Sequence, residues 1–337
     1  ITIPGTVQTI GAYAFGDCTS LADLEIRNGV TAIANGAFGG CSALRKIELP
    51  GSVITMEGNP FIGCASLTEF IVASDNADFV VKDRILYSSN LATLIASPSD
   101  LAGEFIVPEH VISIAPGAFS NTDLTRVTLP EGITTLPDYL FDGCDKLVEA
   151  NYGSLVTTIG NYAFRGTGLR SVYIDKRITK IGDGAFENCP SLTELTFNQT
   201  GSDRLTIGIG AFRTDPIEEL VLPLRVYTTG ITGRVLHGID NYCFADNPVL
   251  RTVRFGTEGN VQYAYLTLGT GAFRNCTALE SVEFPATLKN ATVYISGGGG
   301  SSGSTVYPFG SYCFADCTAL REVKLNVPEG ATSSQFN

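Results

Sequence analysis

Apolar residues return along this chain at a fixed phase. The stretch from Val156 to Ile174 carries the skeleton V-x-x-I-G-x-x-A-F followed by L-x-x-V-x-I, and the same skeleton recurs from one end of the chain to the other. It places phenylalanine at Phe15, Phe38, Phe61, Phe119, Phe141, Phe164, Phe186, Phe212, Phe244, Phe273 and Phe314, and five of those ten steps are 22 or 23 residues. In the first unit Val7, Ile10, Ala14, Phe15, Cys18, Leu21, Leu24 and Ile26 are the inward positions. The next unit repeats them as Val30, Ile33, Ala37, Phe38, Cys41, Leu44, Ile47 and Leu49. The last three alternate with polar residues, which is strand periodicity with one face buried, and strands stacked at one phase pair as a parallel sheet. The A-F-x-x-C segment is too short for a stable isolated helix, so the pattern predicts one helical or 3-10 turn held by packing. Glycine often follows the Ile (Gly11, Gly160, Gly182), but Ala34 and Pro137 take the same place, and proline's fixed φ excludes an obligatory left-handed residue there.

A period near this length is the signature of a leucine-rich repeat solenoid. The expected fold is right-handed and curved, with a parallel β-sheet on the concave face, short helical or 3-10 turns and loops on the other side, and β-hairpin insertions. One elongated domain over residues 1–337 is the expected count, since each coil contacts only its neighbours. Two regions break the rhythm. Around residues 73–104 the strand centres Phe70 and Phe105 lie 35 residues apart, and the excess, FVVKDRILYSSNLATLIASP, reads as two alternating segments flanking the turn signal SSN. Alternatively Leu94 joins the main sheet, since Leu91 and Leu94 also fit L-x-x-L. From about 223 to 325 the units lengthen, with LRVYTTGITGRVLHG, GTEGNVQYAYLTL and ATLKNATVYISGGGGSSGSTVYPF all falling between a strand end and the next bend. Each predicts a hairpin on the same edge, and insertions at one phase of a solenoid map to one face, often the binding face. Gly297 to Ser304 reads as a flexible tip, because no following Lys-Ser/Thr or helix pattern makes it a phosphate cradle.

Composition then narrows the function. A net charge of −12, with 22 scattered basic residues, argues against nucleic acid, which needs clustered Lys and Arg. No apolar run approaches the ~20 residues that span a bilayer. Ile1 opens in mid-repeat without a leader, so the expectation is the edge of a processed or truncated protein. Seven of the nine cysteines (Cys18, Cys41, Cys64, Cys144, Cys189, Cys276, Cys317) sit three residues after a repeat Phe. Such a one-per-coil ladder points its side chains in parallel, the wrong geometry for bridging, so buried free thiols are expected. Cys243 and Cys313 stand where the repeat wants a small apolar residue. There is no C-x-x-C, and His110 and His237 lie away from the ladder, so no metal or other cofactor is expected. With two histidines and no G-x-S-x-G, H-E-x-x-H or P-loop spacing, no catalytic residues are assigned. Paired acids such as Asp23 with Glu25 read as a solvated sheet surface.

The residue between the last two apolar strand positions faces solvent on the sheet. In stack order these are Glu25, Glu48, Ile71, Ile106, Thr128, Asn151, Tyr173, Thr196, Val221, Arg254, Glu283 and Lys324, with charge at the ends and neutral or apolar residues between. Ile71, Ile106, Asn151, Tyr173, Thr196 and Val221 are therefore the candidate partner-binding face. Strand propensity alone also accounts for β-branched and aromatic residues in such a row.

Units such as ITKIGDGAFENCPSLTELTF (178–197), with A-F-x-x-C-x-x-L spacing over essentially the whole chain, resemble the BspA-like leucine-rich repeats of bacterial surface and secreted proteins. Leu86, Tyr87, Leu94 and Pro98 also match that family's irregular segment. The resemblance implies export to the cell surface or medium, adhesion or protein binding, and host extracellular matrix or surface proteins as typical partners. It brings no catalytic residues, and the long insertions after residue 223 depart from it. The readings carried forward are a non-enzymatic binding module, a structural stalk displaying another domain, and glycan binding, for which only Tyr173 and insertion tyrosines (Tyr227, Tyr263, Tyr265, Tyr294, Tyr307) speak. Oligomeric state is not legible.

Overall fold

The computed structural model describes residues 1–198, 205–223, 226–228, 236–255, 267–284 and 311–325. They fall into two compact units, residues 1–156 with 162–168, and residues 157–161 with those from 169 onward. Each is a parallel-strand β-solenoid. In the first unit Lys46–Leu49 pairs with Glu69–Val72, and Ala102–Ile106 pairs through Asp123–Thr128 to Glu149–Asn151, with Phe105, Val127 and Ala150 in register. In the second, Ser171–Asp175 pairs with Glu194–Asn198, and Glu219–Leu222, Thr252–Phe255, Ser281–Phe284 and Glu322–Leu325 form a four-stranded sheet with Leu220, Val253, Val282 and Val323 in register. Phe70 and Phe105, the strand centres read from the sequence on either side of the irregular repeat, are thus both paired residues. Burial alternates along Lys46–Leu49 and Glu219–Leu222 as that period requires.

A second parallel sheet runs through the V-x-x-I positions, made of strands as short as two residues: Thr9–Ile10, Ala32–Ile33 and Thr55–Met56 in the first unit, and Thr158–Ile159, Lys180–Ile181 and Leu205–Ile207 in the second. Gly182 is needed here for close approach rather than for a left-handed φ, because a Cβ on it would lie 2.6 Å from the Asn161 backbone nitrogen. Between the sheets the phenylalanines stack coil on coil. Phe15–Phe38 and Phe141–Phe164 have ring centroids 5.3 Å apart in the first unit, and Phe186–Phe212 and Phe212–Phe244 are at 5.2 and 5.4 Å in the second. Phe38, Phe141, Phe186 and Phe212 are fully buried.

The A-F-x-x-C segment is not the helical or 3-10 turn that the spacing suggests; among the described residues it is a run of turns and contains no helix. The backbone gives the reason. In every Phe coil except that of Phe61, the residue two before Phe has a positive φ, and in every one so does the residue two after it. Gly36 and Gly40 flank Phe38 at +66° and +73°, and Tyr162 and Gly166 flank Phe164 at +55° and +70°. This alternation turns successive amides along the stack. Gly36, Phe38 and Gly40 donate their N–H groups to the carbonyls of Asn59, Pro60 and Ile62 on the next coil, and Gly184, Phe186 and Asn188 donate to Ile209, Ala211 and Arg213. A helix would spend these amides inside one coil. Here they hold one coil to the next, which satisfies buried backbone groups at a cost of roughly 1–2 kcal/mol per left-handed non-glycine residue.

The irregular repeat is also resolved by pairing. Ile85–Ser88 and Thr93–Ala96 are antiparallel across the SSN turn, as the sequence suggests. A further strand, Phe79–Lys82, pairs antiparallel with Ile85–Ser88 through Asp83 and Arg84, whose φ values of +51° and +69° suit a tight hairpin turn. Leu94 does not enter the long-strand sheet. It pairs with Ile114 in the short-strand sheet, taking the place of the repeat's Ile. The later insertion Val226–Thr228 with Leu236–Ile239 is an antiparallel hairpin, and its two strands continue the short-strand sheet toward Leu205–Ile207 on one side and Thr267–Leu268 on the other. The hairpins expected within 256–266 and 285–310, including Gly297 to Ser304, lie outside the described residues.

Candidate binding face

The row of outward residues exists, in segments. Ile71 is half-buried on the Glu69–Val72 strand, beside Glu48. Ile106, Thr128 and Asn151 are successive partners across three strands, all exposed, and Ile106 is 72% exposed. In the second unit Tyr173 pairs with Thr196, and Val221 with Arg254. Tyr173 and Val221 are 55% and 52% exposed, high values for residues in the middle of a paired strand whose neighbours Val172, Ile174, Leu220 and Leu222 are all buried. The six candidates are thus not one hydrogen-bonded row: Ile71 stands apart from Ile106, Thr128 and Asn151 in the first unit.

The flanking charges differ between the units. In the first, Arg126 bridges two carboxylates, Glu104 at 3.3 Å and Glu149 at 3.4 Å, and Asn151 donates to Glu149 at 3.1 Å. In the second, Arg254 lies 3.8 Å from Glu283 and Arg251 3.5 Å from Glu280. Glu194 and Glu219, in the row beside Tyr173, Thr196 and Val221, are exposed and make no ion pair among the described residues.

The turn segments carry the rest of the polar architecture. Cys41, Cys64, Cys144, Cys276 and Cys317 each donate Sγ–H to the carbonyl of the repeat Phe one coil earlier, at 2.9 to 3.2 Å. The family model for the BspA type leucine rich repeat region matches in 6 copies over residues 1–102, 99–215 and 237–295.

The chain belongs to this family.

In the coils of this BspA-type repeat protein the cysteine position is therefore a donor slot. Thr122 and Thr167 fill it in two coils and donate to Phe119 and Phe164, both at 2.9 Å. None of the nine cysteines is in a disulfide; seven are buried, Cys18 and Cys317 half-buried. Burial raises the Cys144 thiol to about 11 and those of Cys64 and Cys313 to about 12. Sequence reading placed these residues inside but missed the hydrogen bond, whose signal was the exchange of Cys for Thr at one phase. Asp215 and Asn247 occupy the same slot in successive coils. Asn247 donates to the Ile217 carbonyl at 2.9 Å. Asp215 accepts through Oδ1 from the Cys189 amide at 2.8 Å, its Oδ2 has no partner among the described residues, and burial holds the carboxyl well above its ordinary range, with Glu187 pushing the same way.

Among the described residues no group of three His, Cys, Asp or Glu could hold a metal ion, and no helix is long and apolar enough to cross a membrane. The cavity beside Asn59, Cys64, Ser97 and Ser120 measures about 10 Å³, room for one water. Small-molecule sites occupy roughly 300 Å³ or more.

Among solved structures, the pneumococcal vaccine antigen PcpA is 20% identical, with a TM-score of 0.49 over 88% of this chain and 62% of that one. A leucine-rich cell surface protein of Faecalibacterium prausnitzii is 21% identical, with a TM-score of 0.37 over 99% of this chain and 60% of that one. A leucine-rich repeat protein of Bacteroides ovatus is 19% identical, with a TM-score of 0.40 over 96% and 77%. The chain thus spans less than two thirds of the length of the first two. No curated protein matches it.

Proposed function

We propose that this chain is a non-enzymatic, protein-binding repeat module, displayed at the cell surface or secreted, that recognises its partner through the exposed face of the long-strand sheet. The observation that carries the reading is Tyr173: a large aromatic side chain, 55% exposed, in a strand whose inward residues Val172 and Ile174 are buried. A fold needs only strand formers at such a position, and threonine serves at Thr128 and Thr196. Aromatic anchors ringed by polar residues dominate protein interfaces, and their truncation commonly costs about 2 kcal/mol or more. Thr196 and Val221, in the same unit, are the accompanying contacts; Ile106 and Asn151 form a separate candidate face in the first unit, where Ile71, half-buried, contributes least. The surface or extracellular location is supported by family membership and by the pneumococcal antigen and cell surface protein named among its structural relatives. Host extracellular matrix or surface proteins, with adhesion as the outcome, are the partner class we propose.

The test is binding to a panel of immobilised extracellular proteins. Tyr173→Ala and Val221→Glu should each weaken capture at least tenfold with the melting temperature unchanged, while Glu25→Ala should leave it within about twofold. Equal binding by both sheet variants removes the face. A spacer role is the second reading, favoured by the coil-to-coil amide bonds and stacked rings that stiffen each unit; it predicts no capture from any panel. The glycan reading has Tyr173 among described side chains, whereas those of Tyr227, Tyr263, Tyr265, Tyr294 and Tyr307 lie outside them.

A further inference from the structure

The charge around Tyr173 specifies the partner further, on the reading that this sheet face binds protein. Three features meet in the second unit. The first is an exposed neutral strip of Tyr173 and Thr196, in register, continued by Val221 on the strand that packs beside Glu194–Asn198. The second is the adjoining row of Ser171, Glu194, Glu219 and Thr252, in the same registers, in which both carboxylates are exposed and neither makes an ion pair among the described residues. The third is that three other bases of the second unit are already engaged: Arg254 with Glu283, Arg251 with Glu280, and Lys324 with Glu322 at 3.3 Å. Arg170 precedes Ser171 at the entrance to the Tyr173 strand and its carbonyl accepts the Glu194 amide at 3.3 Å, but its guanidinium forms no ion pair with Glu194 or Glu219 among the described residues. The first unit differs, since Arg126 bridges Glu104 and Glu149 beside Ile106 and Asn151 and offsets one of their two charges.

We propose that the partner of this face is a basic protein segment, which seats an apolar side chain on the Tyr173, Thr196 and Val221 strip and sets Lys or Arg against Glu194 and Glu219. Like-charge juxtaposition makes an acidic partner unfavourable on this face, and complementary charge beside an apolar centre fixes register and speeds association. The net charge of −12 adds long-range attraction of the same sign.

A phage-displayed random peptide library, selected on the purified chain and counter-selected on its Tyr173→Ala variant, is the test. The expected result is a set of Tyr173-dependent clones enriched in Lys and Arg beside an aromatic or aliphatic residue. Their affinity for Glu194→Gln/Glu219→Gln should fall about tenfold, and the difference from the unmodified chain should shrink at 0.5 M salt, roughly where the screening length is a few ångströms. Tyr173-dependent clones without basic enrichment, or indifferent to Glu194→Gln/Glu219→Gln, overturn the basic partner and leave the binding face standing. A library that yields no Tyr173-dependent clone overturns the face, and the basic partner with it.

Discussion

Replacing Asp215 by Asn should stabilise the protein, and by an amount that depends on pH. In the other coils the slot three residues after Phe holds a hydrogen-bond donor: a thiol at Cys41 or Cys144, a hydroxyl at Thr122 or Thr167, an amide at Asn247. An ionised carboxylate has no hydrogen to give. Asp215 is fully buried, uses Oδ1 to accept from the Cys189 amide and leaves Oδ2 unpaired among the described residues. Desolvation therefore raises its pKa in the folded state, the nearby Glu187 adding to the effect. Between the unfolded value, about 3.9, and the raised folded value, the native chain holds more protons than the unfolded one, so stability falls as pH rises. The contribution of the neutral carboxyl is fully present below about pH 4 and is lost as pH climbs through the folded pKa. Asparagine keeps the oxygen that faces Cys189 and is neutral at every pH, so no charge has to be buried or proton taken up. Leaving a buried carboxylate oxygen unpaired costs at least the roughly 1–3 kcal/mol of an unpaired polar group. At roughly 2–4 °C per kcal/mol for a unit of this size, Asp215→Asn should raise the melting temperature by about 2 to 12 °C at pH 8. The gain should shrink toward zero at pH 3.5, where the native residue is itself neutral. Calorimetric melts of both proteins at the two pH values measure the difference directly, since all other carboxylates are common to both. A gain of equal size at both pH values, or destabilisation at pH 8, would refute the argument.

The donor slot predicts that Cys144→Val, which removes the thiol from the Phe119 carbonyl but leaves the Thr122 hydroxyl and amide bonded to it, should cost about 0.5–1.5 kcal/mol in urea unfolding, while Cys144→Thr, which keeps a donor in the slot, should cost less. Phe212→Ala, between rings at 5.2 and 5.4 Å on either side, should lose about 3–5 kcal/mol by cavity formation; a loss under 1 kcal/mol would show the stack to be loose. Thr214 is a β-branched residue with φ +68°, so Thr214→Gly should stabilise by about 1 kcal/mol, measured by the same melts. Native thiol titration at pH 8 should label the half-buried Cys18 and Cys317 first, with Cys64 and Cys144, whose pKa values are raised to about 12 and about 11, reacting only after denaturation.

The repeat was legible because its rules are one-dimensional. Val127, Val172 and Val253 sit in register with their neighbours because a strand alternates with period two and successive strands fell at the same phase. The buried phenylalanines follow from a fixed spacing in the same way. The outward position of Tyr173 came from the same alternation, and so did that of Val221. Three things were not legible. Tyr13, Tyr162 and Tyr242 adopt φ values near +55°, which no propensity for tyrosine suggests, because the requirement comes from amides that must reach the next coil. Leu94 fitted either an inserted hairpin or the main sheet by pattern; its pairing with Tyr87 puts it in the hairpin, and its pairing with Ile114 in a short-strand sheet that the pattern did not suggest. The third is charge. A list of Glu and Arg along a chain cannot say that Arg126 bridges Glu104 and Glu149 while Glu194 and Glu219 make no ion pair among the described residues. Periodicity fixes which way a side chain points along its own strand, whereas compensation depends on which coils become neighbours and on distances of a few ångströms between them. Those are set only once the coils are stacked.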